Sequence, residues 1–168
     1  ITAALDAMLT TIDTGPRSLV HRDFFAGNLL WLSERSGPCR AGIIDFQSAA
    51  IGHPAYDLVS LLQDARRDIP AAWEDRAVAR YLIARPEFDP ATFRAAYAVC
   101  AAQRHLRVAC QWVRLAQRDG RPQYLEHGPR TWQKLTRALR EPAAAPLAVA
   151  LDRFVPQQHR RNPPGLTA

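Results

Sequence analysis

Asp23, Asn28 and Asp45 are the residues of this sequence whose types and spacing could do chemistry together. Asp23 and Asn28 stand five residues apart in "HRDFFAGN", and Asp45 follows the apolar run "AGII". Phosphoryl transfer from a nucleotide asks little covalent help of a protein. It needs a positioned hydroxyl, a carboxylate to orient it and take its proton, and magnesium to neutralise the phosphates. Magnesium takes hard oxygens from one or two side chains and fills its remaining positions with phosphate and water. One carboxylate as base, with an amide and a second carboxylate as metal ligands, meets that demand. The plain alternative is that Asp23 and Asn28 only cap turns.

Two apolar runs, "NLLWL" and "AGIIDF", flank the polar turn "SERSGPCR" and predict a β-hairpin. A hairpin brings its two strand ends together, so Asn28 and Asp45 become neighbours. A short amphipathic helix over 3–12 carries Leu5, Met8, Leu9 and Ile12 on one side. "DTGP" ends it, and "SLV" is an extended entry into the Asp23 loop. From Pro54 onward the chain reads as helix, with Tyr56, Leu58, Val59, Leu61 and Leu62 on a buried face. Further helices are predicted at about 71–84, 90–118, 129–140 and 145–154. The hairpin is too small to stand alone, so it is expected to lie against these helices. The last residues, 156–168, hold too little apolar matter to pack and read as a disordered tail.

The 168 residues suffice for one domain with a core, and 48% of them are hydrophobic. No apolar run approaches the ~20 residues of a membrane span, so no membrane partner is expected. The chain begins with Ile rather than Met, so the natural start is expected to be missing or removed, and its first residues lack the features of a signal peptide. Cys39, Cys100 and Cys110 have no metal-ligand spacing and read as reduced cytosolic thiols. The net charge of +6 comes almost wholly from arginine, Lys134 being the one lysine. Arg104, Arg107, Gln111, Arg114 and Arg118 fall along one helical face, with Leu106, Ala109, Cys110 and Val113 opposite. A solvated charged face is one reading of this stripe; an acceptor site lined at its first end, by Gln103, Arg104 and His105, is the other. His105 fits a core position equally well. A nucleic-acid surface would interleave aromatic residues or carry a groove-entering motif, and the stripe has neither.

The set His21-Arg22-Asp23 with Asn28, followed by "IDF" at Ile44 to Phe46, resembles the aminoglycoside phosphotransferase and choline kinase family, the small-molecule branch of the protein-kinase-like enzymes. "GIIDFQSAAIGHPAYDLVSLLQDARRDIP" and "QRHLRVACQWVRLAQRDGRPQYL" are most similar to the bacterial kinases that phosphorylate the anomeric hydroxyl of N-acetylmuramate and N-acetylglucosamine in cell-wall recycling. The resemblance implies a mainly helical α+β fold, the C-terminal lobe of a kinase. Within 1–155 the catalytic loop would be 20–28, the metal segment 44–47 and the helical subdomain 54–155. It implies ATP and Mg2+ as cofactors, Asp23 as base, Asn28 and Asp45 on the metal and nucleotide side, and His21 bracing the loop. Asp57 would bond to the loop backbone, or serve as a favourable acid in a first helical turn.

Two departures from the family pattern stand out. Arg22 occupies a position where many members have Gly, and is expected to act as a structural ion-pair partner. Gln47 replaces the Gly of D-F-G, which removes a hinge and leaves Gln47 as a candidate contact to substrate. Asp64, with Arg66, Arg67 and Asp68, would touch a sugar or pair internally. The helical stretch from Ala101 to Arg140, with nine basic residues and two acidic ones, suits a neutral or anionic sugar better than a polycationic aminoglycoside. An aminoglycoside or choline-type kinase and a non-catalytic module retaining the fold are the alternatives. No glycine-rich loop and no lysine precede the catalytic loop. The expectation is therefore a cytoplasmic catalytic half whose N-terminal lobe is absent. That half would be inactive alone and would self-associate through an exposed face near Phe24, Phe25 and Phe46.

Overall fold

The computed structural model describes residues 1–13, 15–163 and 165–166. Helix α1 (Thr2–Thr10) is followed by strand β1 (Ser18–Val20), the hairpin strands β2 (Leu29–Trp31) and β3 (Ala41–Ile43), and strand β4 (Ala50–Gly52). Helices α2 (Ala55–Leu62), α3 (Ala71–Ala84), α4 (Pro90–Arg118), α5 (Gly128–Ala138) and α6 (Ala145–Phe154) complete the order. The mainly helical architecture and the limits of α3, α4 and α6 agree with the sequence. Their boundaries have local causes. Asp89 caps α4 by accepting the Thr92 backbone N–H at 2.8 Å, and Pro90 takes the first helical position.

The main core gathers Met8 of α1, Val59 of α2, Val78 of α3, Phe93 and Val99 of α4, Leu135 of α5, and Leu147 and Leu151 of α6. Helix α4 is its central rod. A second cluster gathers Ala65, Val108 and Trp112, with Leu115 and Tyr124 packed against it. Trp112 stacks on Tyr124 with centroids 5.4 Å apart, and its indole N–H donates to the Thr131 hydroxyl at 2.9 Å. A buried indole with its polar edge satisfied is a rigid wall.

The sheets are two separate antiparallel pairs. β2 pairs β3 with Leu29 opposite Ile43, which is the predicted hairpin. β1 pairs β4 with Leu19 opposite Ile51, a pairing three residues long that the sequence does not announce. The hairpin does not lie against the helices as expected. Trp31 is 71% exposed and Leu30, Ile43 and Ile44 also face outward. It is fastened at its base, where the Ile44 N–H donates to the Asn28 carbonyl at 3.1 Å and the Ile44 carbonyl meets the His21 ring at 2.9 Å.

Within 156–168 the described residues hold polar contacts in place of apolar ones. Gln157–His159 form a 3-10 turn, Arg160 bonds to the Val155 carbonyl and pairs with Asp152, and the Asn162 amide donates to the Leu125 carbonyl at 2.7 Å. Part of the expected disordered tail, Pro164, Thr167 and Ala168, lies outside the described residues.

Candidate active site

The loop after β1 is folded by its backbone more than by its side chains. Asp57, in the first turn of α2, accepts the backbone N–H of His21 at 2.6 Å and that of Arg22 at 3.0 Å. Of the two readings of Asp57, the bond to the loop backbone is the one observed. Two adjacent N–H groups converge on one carboxylate because Arg22 turns the chain with φ of +71°, a left-handed conformation that costs a branched or long residue roughly 1 kcal/mol. The Arg22 guanidinium makes no ion pair among the described residues. It donates to the Ser48 carbonyl at 3.4 Å, so the expected ion-pair role is replaced by a tie to the β3–β4 segment.

His21 is buried and bridges the same segments. The Ile44 carbonyl requires a donor at Nε2, and the Asp23 backbone N–H, 3.3 Å from Nδ1, requires an acceptor there. Together these contacts assign the ring hydrogen to Nε2. Asn28 is buried as well, and its Nδ2 donates to the Asp23 carbonyl at 2.9 Å. Asp45 stands at φ of +64°, again left-handed, and its Oδ1 accepts from the Gln47 side-chain amide at 3.0 Å. Its other oxygen is open.

The structure thus joins Asp23 to Asn28 by a hydrogen bond and Asn28 to the segment carrying Asp45 by the hairpin. Among the described residues no three His, Cys, Asp or Glu side chains gather as a metal cage. An amide oxygen and a carboxylate are hard-oxygen donors, the kind that suits magnesium and not zinc.

On the far side of Asp23 lies a small cavity of about 50 Å³. Asp23, Asp64, Arg66, Arg104, His105 and Arg107 line it with Gln63, Val108, Gln111 and Trp112. Three of the four candidate substrate residues, Asp64, Arg104 and His105, therefore meet here beside the candidate base. Gln47, the fourth, stays on the metal side against Asp45. The arginine stripe divides. Arg107, Arg114 and Arg118 are exposed, but Arg104 is 5% exposed and points inward. One of its nitrogens is 4.0 Å from Asp23 Oδ1, another 3.5 Å from both the Arg22 carbonyl and the Tyr56 hydroxyl. The face opposite the stripe differs from expectation too, since Cys110 is exposed.

His105 is a buried histidine that donates toward Gln63 Oε1 at 2.8 Å. Burial, reinforced by Lys134, Arg104 and Arg137, holds its pKa down at about 3. Gln63 in turn donates to Glu74 at 2.6 Å, and Glu74 also accepts from Tyr97 and Arg137. Gln63 was not singled out by the sequence; a long amide directly after the apolar pair Leu61 and Leu62 is the signal that could have found it. Asp64 and Arg66 pair at 3.2 Å, while Asp68 pairs bidentately with Arg130 at 2.7 Å, away from the cavity. Lys134 caps this turn by donating to the Asp64 carbonyl at 2.8 Å.

Phe24 and Phe25 are half-buried, contrary to the exposed face expected of them. Phe24 packs edge-on to His21, and the Arg66 guanidinium sits 4.1 Å over the Phe25 ring. Phe46 is 66% exposed.

The model of the phosphotransferase enzyme family matches residues 1–96. An N-acetylmuramate/N-acetylglucosamine kinase of Caulobacter vibrioides is 45% identical over 141 residues, 84% of this chain and 39% of that protein. Proteins of the same name from Neisseria meningitidis and Pseudomonas aeruginosa are each 35% identical, over 160 and 145 residues. These alignments cover 90% and 81% of this chain, and 46% and 41% of the relatives. The chain spans less than half the length of the relatives it matches.

Proposed function

Because the chain belongs to the phosphotransferase enzyme family, we propose that it carries the catalytic half of an ATP-dependent kinase acting on the anomeric hydroxyl of an N-acetylated amino sugar. The observation that carries this reading is the bond from Asn28 to the Asp23 carbonyl. In this reading it ties Asp23, the proposed base, to Asn28, one of the two proposed metal ligands. The name shared by the relatives supports the choice of N-acetylmuramate or N-acetylglucosamine as acceptor.

Asp23 orients the sugar hydroxyl and accepts its proton at a carboxylate oxygen. Arg104, 4.0 Å away, keeps that carboxylate turned toward the cavity. His21 and Asp57 hold the loop so that Asp23 does not drift, a matter of positioning worth several kcal/mol in the barrier. Asn28 Oδ1 and the Asp45 carboxylate would hold magnesium, with Gln47 steadying Asp45. Bound ATP with magnesium supplies the phosphoryl group and the charge that offsets the phosphates. The glycine-rich cover and the lysine that such a site needs are absent from these 168 residues, and we place them in a further segment of the same polypeptide, in keeping with the greater length of the relatives. A cytoplasmic setting, where ATP is available, follows from this reading. No helix among the described residues is long and apolar enough to cross a membrane.

An aminoglycoside acceptor is disfavoured by charge. The cavity beside Asp23 offers three guanidiniums, Arg66, Arg104 and Arg107, against the two carboxylates Asp23 and Asp64, and a polycation would be repelled. The test is turnover by the full-length protein with ATP and magnesium, read by phosphorus NMR. An anomeric phosphate on N-acetylglucosamine or N-acetylmuramate is expected. Faster turnover of an aminoglycoside would overturn the choice of substrate.

A further inference from the structure

Asp64 is 3% exposed, and the two oxygens of its carboxylate are treated very differently. Oδ1 accepts the Arg66 backbone N–H at 3.1 Å and its guanidinium at 3.2 Å. Oδ2 is buried with no hydrogen-bond partner among the described residues. A buried carboxylate oxygen left without a donor is costly, and Asp64 lines the cavity beside Asp23. The lining of the same cavity also includes the apolar Val108 and Trp112 and the donors Arg104, Arg107 and Gln111.

The size of the cavity limits what enters it. A single water needs roughly 10–15 Å³ of such space, so about 50 Å³ takes about four non-hydrogen atoms and excludes a sugar ring. The occupant is therefore one substituent of a molecule whose body lies outside, over the loop. That substituent must donate one hydrogen bond to Asp64, accept one from a guanidinium or from Gln111, and place an apolar end on Val108 and Trp112. A cationic amine fits poorly among three arginines, and a hydroxyl leaves the apolar wall uncovered.

We propose that the cavity between Asp23 and Asp64 is a subsite for an acetamido group. Its N–H donates to Asp64 Oδ2, its carbonyl accepts from Arg104, Arg107 or Gln111, and its methyl group packs on Val108 and Trp112. This rests on the reading of the site as an anomeric sugar kinase, and it deepens it. The acetamido group of a 2-acetamido sugar is attached to the carbon next to the anomeric one. Seating it beside Asp23 brings the anomeric hydroxyl to the base. Asp64 then sets specificity without touching the reacting atoms.

The experiment compares N-acetylglucosamine with glucose, which carries a hydroxyl in place of the acetamido group, in the full-length protein. Wild type, Asp64→Asn and Gln111→Phe are assayed for kcat/KM and for sugar binding by calorimetry, with thermal melting to confirm folding. Asn keeps the oxygen that holds Arg66 and replaces Oδ2 by a donor. Wild type is expected to prefer N-acetylglucosamine by about tenfold or more, the scale of a hydrogen bond to a charged group. Asp64→Asn should lose that preference while its weak handling of glucose changes little. Gln111→Phe, which puts a bulky ring into the lining of the cavity, should do the same. Equal losses toward both sugars in Asp64→Asn would mark a merely structural role and overturn the subsite, as would a preference that survives in the variant. If Asp64→Asn does not fold, Gln111→Phe decides by the same criterion. A wild type that binds N-acetylglucosamine over glucose without phosphorylating it sinks the kinase reading and leaves the subsite standing. A wild type that phosphorylates both sugars equally sinks the subsite and leaves the kinase reading. A wild type that neither binds nor phosphorylates either sugar overturns both.

Discussion

Asp57 accepts the backbone N–H of His21 at 2.6 Å across 36 residues of sequence, and its second oxygen takes the N–H of Arg22. Helix α2 therefore grips the loop that carries Asp23 by its main chain. Hydrogen bonds to a charged acceptor contribute about 1.5–3 kcal/mol each, and here they also hold Arg22 in its left-handed conformation. Asp57→Ala is expected to lower stability by about 2–4 kcal/mol in chemical denaturation, allowing for partial exposure. In the full-length enzyme kcat should fall with little change in sugar KM, because the loop that carries Asp23 loosens. Asp57→Asn keeps one acceptor and should lie between. An Asp57→Ala protein with unaltered stability and turnover would show that the loop holds itself.

Much of this arrangement could be read from the residues alone, and the parts that could not share a physical reason. Pro70 and Pro90 punctuate α3 and α4, and the two apolar runs announce the hairpin, so these elements were legible. The β1–β4 pairing was not, because three residues carry no periodicity to read. Arg104 reads either as part of a solvated charged face or as lining an acceptor site, and it is buried. Its guanidinium is offset by Asp23, the Arg22 carbonyl and Tyr56, none of them close in sequence. A hydrophobic pattern cannot register a cation whose partners arrive only with the fold. The same holds for Gln63, whose two hydrogen bonds reach α3 and α4.

Asn28 and Asp45 are expected to respond differently to magnesium. Asp45 contributes a charged oxygen from an exposed position, so Asp45→Ala should raise the magnesium requirement steeply and leave little turnover at millimolar metal. Asn28→Ala removes a neutral oxygen and also the bond to the Asp23 carbonyl. Its magnesium requirement should rise less, but kcat should drop roughly tenfold, the scale of one lost hydrogen bond at the base, and saturating magnesium should not restore it. The check is a magnesium titration of kcat for both variants. Full recovery of Asn28→Ala at high magnesium would show that its amide does not position Asp23.

His105 gives the fold a dependence on acid. Its folded-state pKa is held at about 3 by burial, below the ordinary 6.5. As pH falls below about 6.5 the unfolded chain takes up this proton and the folded chain does not until about 3, so stability is lost on acidification through that window. One such proton changes stability by about 1.4 kcal/mol per pH unit. His53 and His127 are lowered by burial in the same direction, so the wild-type slope contains more than one histidine. His105→Gln, which can still bond to Gln63, should reduce that slope by about one proton's worth between pH 6 and pH 4. Urea denaturation across that range measures it. Parallel slopes for variant and wild type would place the acid sensitivity elsewhere.

The 168-residue chain by itself is expected to fold and to leave ATP unhydrolysed and the sugar unphosphorylated. Folding follows from the core, in which α4 is packed against helices before and after it and Phe93, Val99 and Leu135 are fully covered. The site's polar ties, from Asp57 to the loop and from His21 to Ile44, are also internal to these residues. Catalysis is a different matter. In the proposed reading Asn28 and Asp45 offer two oxygens to a metal, while no glycine-rich loop and no lysine precede Asp23 to hold a triphosphate. Lost positioning alone can remove several kcal/mol of barrier lowering. The hairpin supports the same view, since Trp31 and Phe46 are 71% and 66% exposed, and Leu30, Ile43 and Ile44 lie outward with them. An apolar surface of this kind tends to be covered in a working protein. In isolation it should drive self-association, seen as a concentration-dependent rise in mass by light scattering, and Trp31→Lys should suppress it without lowering the melting temperature. ATP-dependent phosphorylation of N-acetylglucosamine by the purified 168-residue chain would overturn the incomplete-site reading. A chain that stays monomeric at high concentration would overturn only the association.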